Sequence, residues 1–336
     1  MRGPLRVGAP TGATHVAGIV GGTRQVPLSL SPRIHNAAFR ALGLDWVYVG
    51  FPVEEGAAPA AVAGLAAVGV RGFNVTMPHK VAVAACMDRL EGLAATTGAV
   101  NTVAVRSGEL VGWNTDGEGL LRYLRLDVGA QVEGAAVLVL GAGGAARSAV
   151  AALAAAGARS VTVLARRPER AEALRDLAPA AEFRAAALGA GADEAVAAAD
   201  LIVNATPVGQ VEPPRGPQLE PVASDAPSRD RPPPGRSRPG LHAVDAAPED
   251  VRGVGDAGPG LPIPTVAIRP GCVLVDMVYK PPLTRLVEAA RLRGASAHGG
   301  LGMLLHQAAL AFEIWTGQQA PLEAMSAAAL SELSHP

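Results

Sequence analysis

The sequence predicts an α/β fold in two domains, on three observations. Short apolar runs alternate with segments of helical period along most of the chain. The composition is 49% hydrophobic with 40 Gly but only 3% aromatic, so the cores must be built from Ala, Val and Leu, the supply that suits Ala-rich helices packed on strands. At 336 residues the chain is long enough for two cores of ordinary size.

Taken in order, Val16 to Gly21, Asp45 to Phe51 and Arg71 to Val75 read as strands, separated by helical patterns at Pro32 to Leu42 and Ala57 to Val68. This is βαβ rhythm. Pro78 ends any helix before it and suits the first turn of one after it, so Val81 to Met87 reads as a helix with Lys80 in its first turn. Asn101 to Arg106 and Glu109 to Gly112 flank a Ser107-Gly108 turn, a hairpin expected to close the first domain. A boundary falls near Asn114 to Gly119. Ala136 to Leu140 then reads as a strand, Ala145 to Ala156 as a helix and Ser160 to Ala165 as a second β-branched run. Leu201 to Asn204 and Val273 to Met277 are further buried-strand candidates, and helices are expected at Leu283 to Arg293, Met303 to Trp315 and Leu322 to Leu333. Residues 211–260 obey neither period. They are rich in Pro, Gly, Asp and Arg around Pro232-Pro233-Pro234, a composition that cannot bury enough apolar area to offset the entropy of ordering, so a disordered insertion is expected, with a structured lid as the alternative.

Charge and cysteine content narrow the partners. The formal net charge is −1 and no Lys/Arg block stands out in the periodic segments, which argues against nucleic acid or an anionic membrane surface and for a small molecule. Cys86 and Cys272 stand far apart without metal-ligand spacing, which points to a reducing compartment and away from disulfides and a metal site. The N-terminus lacks a basic-then-apolar signal pattern, and a cytoplasmic protein is expected. A monomer and a homodimer stay equally open.

Chemistry concentrates in a few segments. Gly141-Ala142-Gly143-Gly144-Ala145-Ala146, between a strand and a helix, is the Gly-x-Gly-x-x-Ala dinucleotide fingerprint. Its glycines permit a tight turn and bring pyrophosphate to the N–H groups of a helix N-terminus; a ligand-free strand-helix turn is the alternative. At the end of the second strand, where NAD-binding chains place an acidic residue, stand Arg166 and Arg167, with Arg170 one turn later. Three guanidiniums there favour the 2′-phosphate of NADP, against the plainer reading of a solvated helix start. In the first domain, Gly72-Phe73-Asn74-Val75-Thr76-Met77-Pro78-His79-Lys80 sets polar groups and a lysine between apolar segments. Lys80 is either an exposed surface lysine or a proton donor, and a carboxylate such as Asp116 beside it would hold the ammonium in place. Ser31 before Pro32 reads as an N-cap, while Ser29 and Ser31 together could bind a carboxylate. Asp116 could equally be a turn or cap residue.

Read together, these segments closely resemble the shikimate dehydrogenase family. The motifs occur in order: Ser29-Leu30-Ser31-Pro32, Asn74 to Lys80, Gly98-Ala99-Val100-Asn101-Thr102, Asn114-Thr115-Asp116-Gly117, Gly141 to Arg147, Asn204-Ala205-Thr206-Pro207, Asp276-Met277-Val278-Tyr279, and Gly300-Leu301-Gly302-Met303-Leu304 followed by Gln307. The resemblance implies NADP-dependent, reversible reduction of 3-dehydroshikimate to shikimate, in aromatic amino-acid biosynthesis. It implies Lys80 and Asp116 as the acid–base pair, Ser29, Ser31 and Tyr279 on the substrate carboxylate, and Thr76, Asn101, Asp116 and Gln307 on the ring hydroxyls. On the cofactor side it implies Gly141, Ala142, Gly143, Gly144 and Ala145 at the pyrophosphate. Arg166, Arg167 and Arg170 would take the 2′-phosphate, with Thr206, Met277, Gly300 and Met303 near the nicotinamide. It also implies a substrate domain of residues 1–115 plus 300–336 and a Rossmann-type NADP domain of residues 116–299. The chain departs from the family pattern at Leu28, where a His usually stands, and at Ala165-Arg166-Arg167, where NADP-using members usually have Asn-Arg-Thr. A shikimate/quinate dehydrogenase using NAD is the close rival. A non-catalytic NADP-binding regulator is a rival from another class, against which Lys80 and Asp116 both speak.

Overall fold

The computed structural model describes residues 9–189, 192–210 and 261–334; the expectation for residues 211–260 lies outside the described residues. Two six-stranded sheets are built in succession. The first half runs β1 (His15–Gly21), α1 (Ser31–Ala41), β2 (Trp46–Pro52), α2 (Ala58–Ala67), β3 (Gly72–Val75), α3 (Lys80–Ala84), β4 (Arg89–Glu91), α4 (Leu93–Thr97), β5 (Thr102–Arg106) and β6 (Glu109–Trp113). Its strand order is β2-β1-β3-β5-β6-β4. β1 lies parallel to β2 and β3, and the β5–β6 hairpin joins through β5, which is antiparallel to β3.

The second half runs α5 (Thr115–Tyr123), a π-helical turn (Leu124–Val128), β7 (Ala136–Leu140), α6 (Gly144–Ala155), β8 (Ser160–Ala165), α7 (Pro168–Glu172), β9 (Glu182–Ala187), α8 (Ala192–Ala198) and β10 (Leu201–Asn204). β11 (Val273–Asp276), α9 (Arg285–Leu292), β12 (Ser296–His298), α10 (Leu301–Thr316) and α11 (Leu322–Ser334) complete it. All six strands are parallel in the order β12-β11-β10-β7-β8-β9, the doubly wound dinucleotide-binding order. β7 and β10 are apolar almost throughout because helices cover both faces of a parallel sheet.

Each sheet has a core on either side. On the first, α1, α10 and α11 bury Ile34, Phe39, Phe312 and Met325 against Ala17 and Ile19, while α2 and α3 bury Val62 and Val83 against Phe73 and Val103. The C-terminal helices thus pack on the N-terminal sheet. The second sheet packs α6 with Val150 and Leu153 on one face, and α8 and α9 with Val196 and Val287 on the other. Among the described residues no helix is long and apolar enough to cross a membrane.

The expected β5–β6 hairpin forms, and β4 pairs outside β6 in parallel as the edge strand. Two local expectations are corrected. The Val81-to-Met87 helix stops at Ala84, leaving Asp88 to accept the Leu110 N–H and lead into β4. Ser31 is no N-cap but the first residue of α1, because Leu30 already holds helical dihedrals (φ −75°, ψ −14°).

Candidate active site

The register of the first sheet gathers the polar motifs at one end. Asn74 at the end of β3 lies opposite Thr102 at the start of β5, and Thr102 lies opposite Trp113 at the end of β6. Asn101, Asn114, Thr115 and Asp116 therefore meet, although 27 residues separate Asn74 from Asn101. Asn114 caps α5 by accepting the Asp116 N–H at 3.2 Å. Its amide also donates to Ser148 Oγ at 2.9 Å and Ala99 O at 3.0 Å, tying the start of α5 to α6.

Within this cluster Lys80 Nζ donates to Asp116 Oδ2 at 2.5 Å, with the two side chains only 17% and 10% exposed. Lys80 is no surface lysine. Asn101 Nδ2 donates to the other carboxylate oxygen, Oδ1, at 2.7 Å, and Asn101 Oδ1 accepts the Thr115 N–H at 2.7 Å. That backbone donor fixes the amide orientation, so Asn101 can only present its NH₂ to Asp116. Gln307 from α10 reaches the same amide, Oε1 lying 3.4 Å from Asn101 Nδ2.

The other residues expected on the substrate side are placed by their neighbouring elements. Ser29 Oγ accepts the Ser31 N–H at 3.2 Å, which sets the two hydroxyl-bearing residues side by side. Thr76 is half-buried and follows β3, its backbone N–H held by Val20 O at 2.9 Å. Gly21 is required there, because a Cβ on it would lie 2.4 Å from the Thr76 methyl. Tyr279 follows β11 but packs against the core beneath α1 and α10, and burial pushes its hydroxyl above the ordinary range.

The second sheet offers its own row of strand ends. Leu140, Asn204 and Asp276 are in register, and the glycine loop, Thr206 and Met277 follow them. Gly141 turns with φ +105°, a conformation open to glycine, and its N–H is held by Leu164 O at 2.8 Å. A Cβ on Gly143 would meet nothing within 4 Å, and one on Gly144 would meet only Lys80 Cδ at 3.8 Å. Open space thus lies before the first turn of α6, with Lys80 across it. Asn204 Oδ1 accepts from Thr206 Oγ1 at 2.7 Å, and Asn204 Nδ2 donates to the buried Asp276 at 2.8 Å. Burial pushes the Asp276 carboxyl up, opposed by hydrogen bonds from Thr284, Val278 and Asn204. Gly300 must be glycine, since a Cβ would stand 2.2 Å from Met277 O; Met303 is buried in the core beside α6. Arg166, Arg167 and Arg170 are exposed at the end of β8 and make no ion pair among the described residues. A separate cavity of about 790 Å³, lined by Leu93, Arg125, Val132 and Ala156 among others, contains none of these residues.

Sequence reasoning names Asn74, Thr102, Asn114 and Thr115 only as motif members and misses His35, Tyr48 and Ser148. The available signal is a polar residue at the end of an apolar strand. Tyr48 and His35 carry no such signal, being an aromatic in a strand and a histidine in an amphipathic helix.

Three family models match the chain: the shikimate dehydrogenase substrate binding domain at residues 22–103, shikimate/quinate 5-dehydrogenase at residues 124–211 and the shikimate 5′-dehydrogenase C-terminal domain at residues 300–330. The shikimate dehydrogenase (NADP(+)) of Citrifermentans bemidjiense is 44% identical over 97% of this chain and 98% of its own. The crystal structure of shikimate 5-dehydrogenase from Thermus thermophilus in complex with NADP(H) and shikimate superposes with a TM-score of 0.73 at 31% identity, covering 95% of this chain and 99% of that one. Quinate dehydrogenase from Corynebacterium glutamicum in complex with NAD gives a TM-score of 0.74 at 26% identity, with coverage of 95% and 99%.

Proposed function

The chain belongs to the shikimate dehydrogenase family, and we propose that Lys80 and Asp116 are the acid–base pair of its NADP-dependent, reversible reduction of 3-dehydroshikimate to shikimate. The observation that carries this assignment is the Lys80–Asp116 pair at 2.5 Å, largely shielded from solvent, with Lys80 facing the open space before Gly144. When bound, NADPH supplies the hydride that reduces the ring ketone. Lys80 donates a proton to the ketone oxygen as negative charge develops there, a step typically worth about 10²–10⁴-fold. Asp116 holds the ammonium in place and, with Asn101 and Gln307, presents acceptors and donors to the neighbouring ring hydroxyls. In the reverse direction Lys80 takes the proton back.

The residues present fit the cofactor. Gly143 and Gly144 leave room for a pyrophosphate at the start of α6, whose first N–H groups lack helical partners. Arg166, Arg167 and Arg170 offer exposed guanidiniums, with no ion pair among the described residues, for a 2′-phosphate. Ser29, Ser31 and Tyr279 are taken to hold the substrate carboxylate, with Thr76 beside the ring. Thr206, Met277, Gly300 and Met303 are taken to border the nicotinamide. This reading divides the chain into a substrate domain of residues 1–115 plus 300–336 and an NADP domain of residues 116–299.

Steady-state assays of the purified protein with shikimate or quinate against NADP+ or NAD+, alongside Lys80→Ala, test the assignment. The expected outcome is the highest kcat/KM with shikimate and NADP+, and a kcat in Lys80→Ala lower by about 10²–10⁴-fold at an unchanged KM for NADP+. Full turnover in Lys80→Ala would sink the acid–base assignment, and a higher kcat/KM with quinate and NAD+ would sink the specificity.

A further inference from the structure

We infer that Tyr48 is a positioning residue for this reaction: through Asn74 it holds Asn101, and through Asn101 the carboxylate that holds Lys80. The inference rests on the acid–base reading of Lys80 and Asp116 proposed above.

The geometry is an unbroken line of hydrogen bonds. Tyr48 Oη donates to Asn74 Oδ1 at 2.7 Å. Asn74 Nδ2 donates to Asn101 O at 3.2 Å and to Thr102 Oγ1 at 3.1 Å, and Thr102 Oγ1 donates to Asn101 Oδ1 at 3.0 Å. Asn101 Nδ2 reaches Asp116 Oδ1 at 2.7 Å, and Asp116 Oδ2 accepts from Lys80. The polarity of the line is fixed. Asn101 O can only accept, so the Asn74 NH₂ must face it and Asn74 Oδ1 must face Tyr48. Tyr48 must then be the donor.

The donor itself is clamped from every side. Asn36 pins its backbone, Nδ2 donating to Tyr48 O at 2.8 Å and Oδ1 accepting the Tyr48 N–H at 2.9 Å. His35 stacks on its ring at 4.5 Å and 11°, and Trp315 packs beside it with ring centroids 6.0 Å apart. Tyr48 is 2% exposed. Burial pushes its hydroxyl well above the ordinary range, the Ser31 hydroxyl opposing, so the proton needed for donation stays on. Tyr48 therefore stands behind both Ser31 and Asn74. Removing its hydroxyl leaves Asn74 Oδ1 with no hydrogen-bond donor among the described residues, in a buried site where an orphaned acceptor is costly. The Asn74 amide is then free to turn, and Asn101 loses its backing.

Wild type, Tyr48→Phe, Asn74→Ala, the Tyr48→Phe/Asn74→Ala double variant and Lys80→Ala are compared in shikimate oxidation by NADP+. Thr102→Val, which removes the second bridge between Asn74 and Asn101, is the independent variant if Tyr48→Phe does not fold. The expected result is a kcat lower by about tenfold in Tyr48→Phe and in Thr102→Val, at a KM for NADP+ within about twofold of wild type. In the Asn74→Ala background Tyr48→Phe should cost no further kcat, because the line from Tyr48 to Asp116 runs through that amide, whereas a loss through Ser31 would fall on the KM for shikimate. The inference is overturned if kcat stays within about twofold of wild type while Lys80→Ala is inactive, or if the Tyr48→Phe loss multiplies fully onto that of Asn74→Ala. Turnover retained in Lys80→Ala would instead remove the acid–base reading, and the relay with it.

Discussion

His35→Phe probes the packing behind the site through its response to pH. His35 is fully buried, neither ring nitrogen has a hydrogen-bond partner among the described residues, and the ring lies between Tyr48, Phe39 and Trp315. Burial lowers its pKa from 6.5 to about 3, with the nearby Asn74 side chain opposing. The folded protein therefore keeps this imidazole neutral where the unfolded chain would protonate it. Between those two values the unfolded state binds more protons, so stability from this residue is complete above about pH 6.5 and is lost as pH falls towards 3. Linkage gives a loss of about 2 kcal/mol by pH 5 and about 5 kcal/mol once both states are protonated.

Phe keeps an aromatic ring against Tyr48 and cannot titrate. Its larger ring shifts stability by a constant amount at every pH, so the pH-dependent difference between the two proteins isolates the imidazole. Asp276, whose carboxyl is raised by burial, contributes in the opposite sense: the folded state takes up that proton first, so acidification favours folding. That contribution is common to both proteins and cancels. The assay is urea denaturation of wild type and His35→Phe at about pH 7.5 and pH 5, with wild type expected to lose about 2 kcal/mol more than the variant. Parallel losses, within about 0.5 kcal/mol, would refute the reasoning, since they would mean that His35 titrates normally in the fold.

Two further outcomes are expected from the cofactor side and the helix crossing. Arg166→Ala combined with Arg167→Ala should raise the KM for NADP+ by at least about tenfold and leave that for NAD+ within about twofold, because a charge-assisted bond to phosphate is lost only with NADP+; equal changes for both cofactors in steady-state assays would count against the 2′-phosphate assignment. Gly117→Ala should lower stability by about 1–3 kcal/mol in thermal melts, because the new methyl would lie 2.7 Å from Ala152 Cβ, Leu93 Cδ1 and Ser148 O; an unchanged melting temperature would show that α5 and α6 can part freely.

The sequence is legible where one physical signal dominates. β7, β8 and β10 are read to the residue because each is a short apolar run between turn signals, the pattern of a strand covered on both faces. β4 and β12 are three-residue edge strands, and β9 carries exposed Glu182 and Arg184, so none offers an apolar run to read. The same division runs through the site. Lys80, Asp116 and the glycine loop are polar or conformationally special residues at strand ends and stand out. Tyr48 is unreadable because its partner is 26 residues away, and an aromatic in a strand is explained by packing before any hydrogen bond is considered.

The antiparallel strand β5 in the first sheet is what brings the Lys80–Asp116 cluster together. In a wholly parallel sheet the start of β5 would lie at the end opposite to the C-terminus of β3, and Asn101 would be a strand's length from Asn74. Because β5 runs against β3, the residue before its first strand position faces the end of β3, and β6 returns to the same end with Asn114, Thr115 and Asp116. The register of that return is set at the far end of the hairpin, where Ser107 (φ +53°) and Gly108 (φ +88°) form the two-residue loop between Arg106 and Glu109. A slip of one residue there would turn every β6 side chain to the other face and carry Asp116 away from Lys80. The geometry of the proposed acid–base pair is therefore specified twice: locally by the Asn101 amide, and remotely by a turn that touches neither Lys80 nor Asp116.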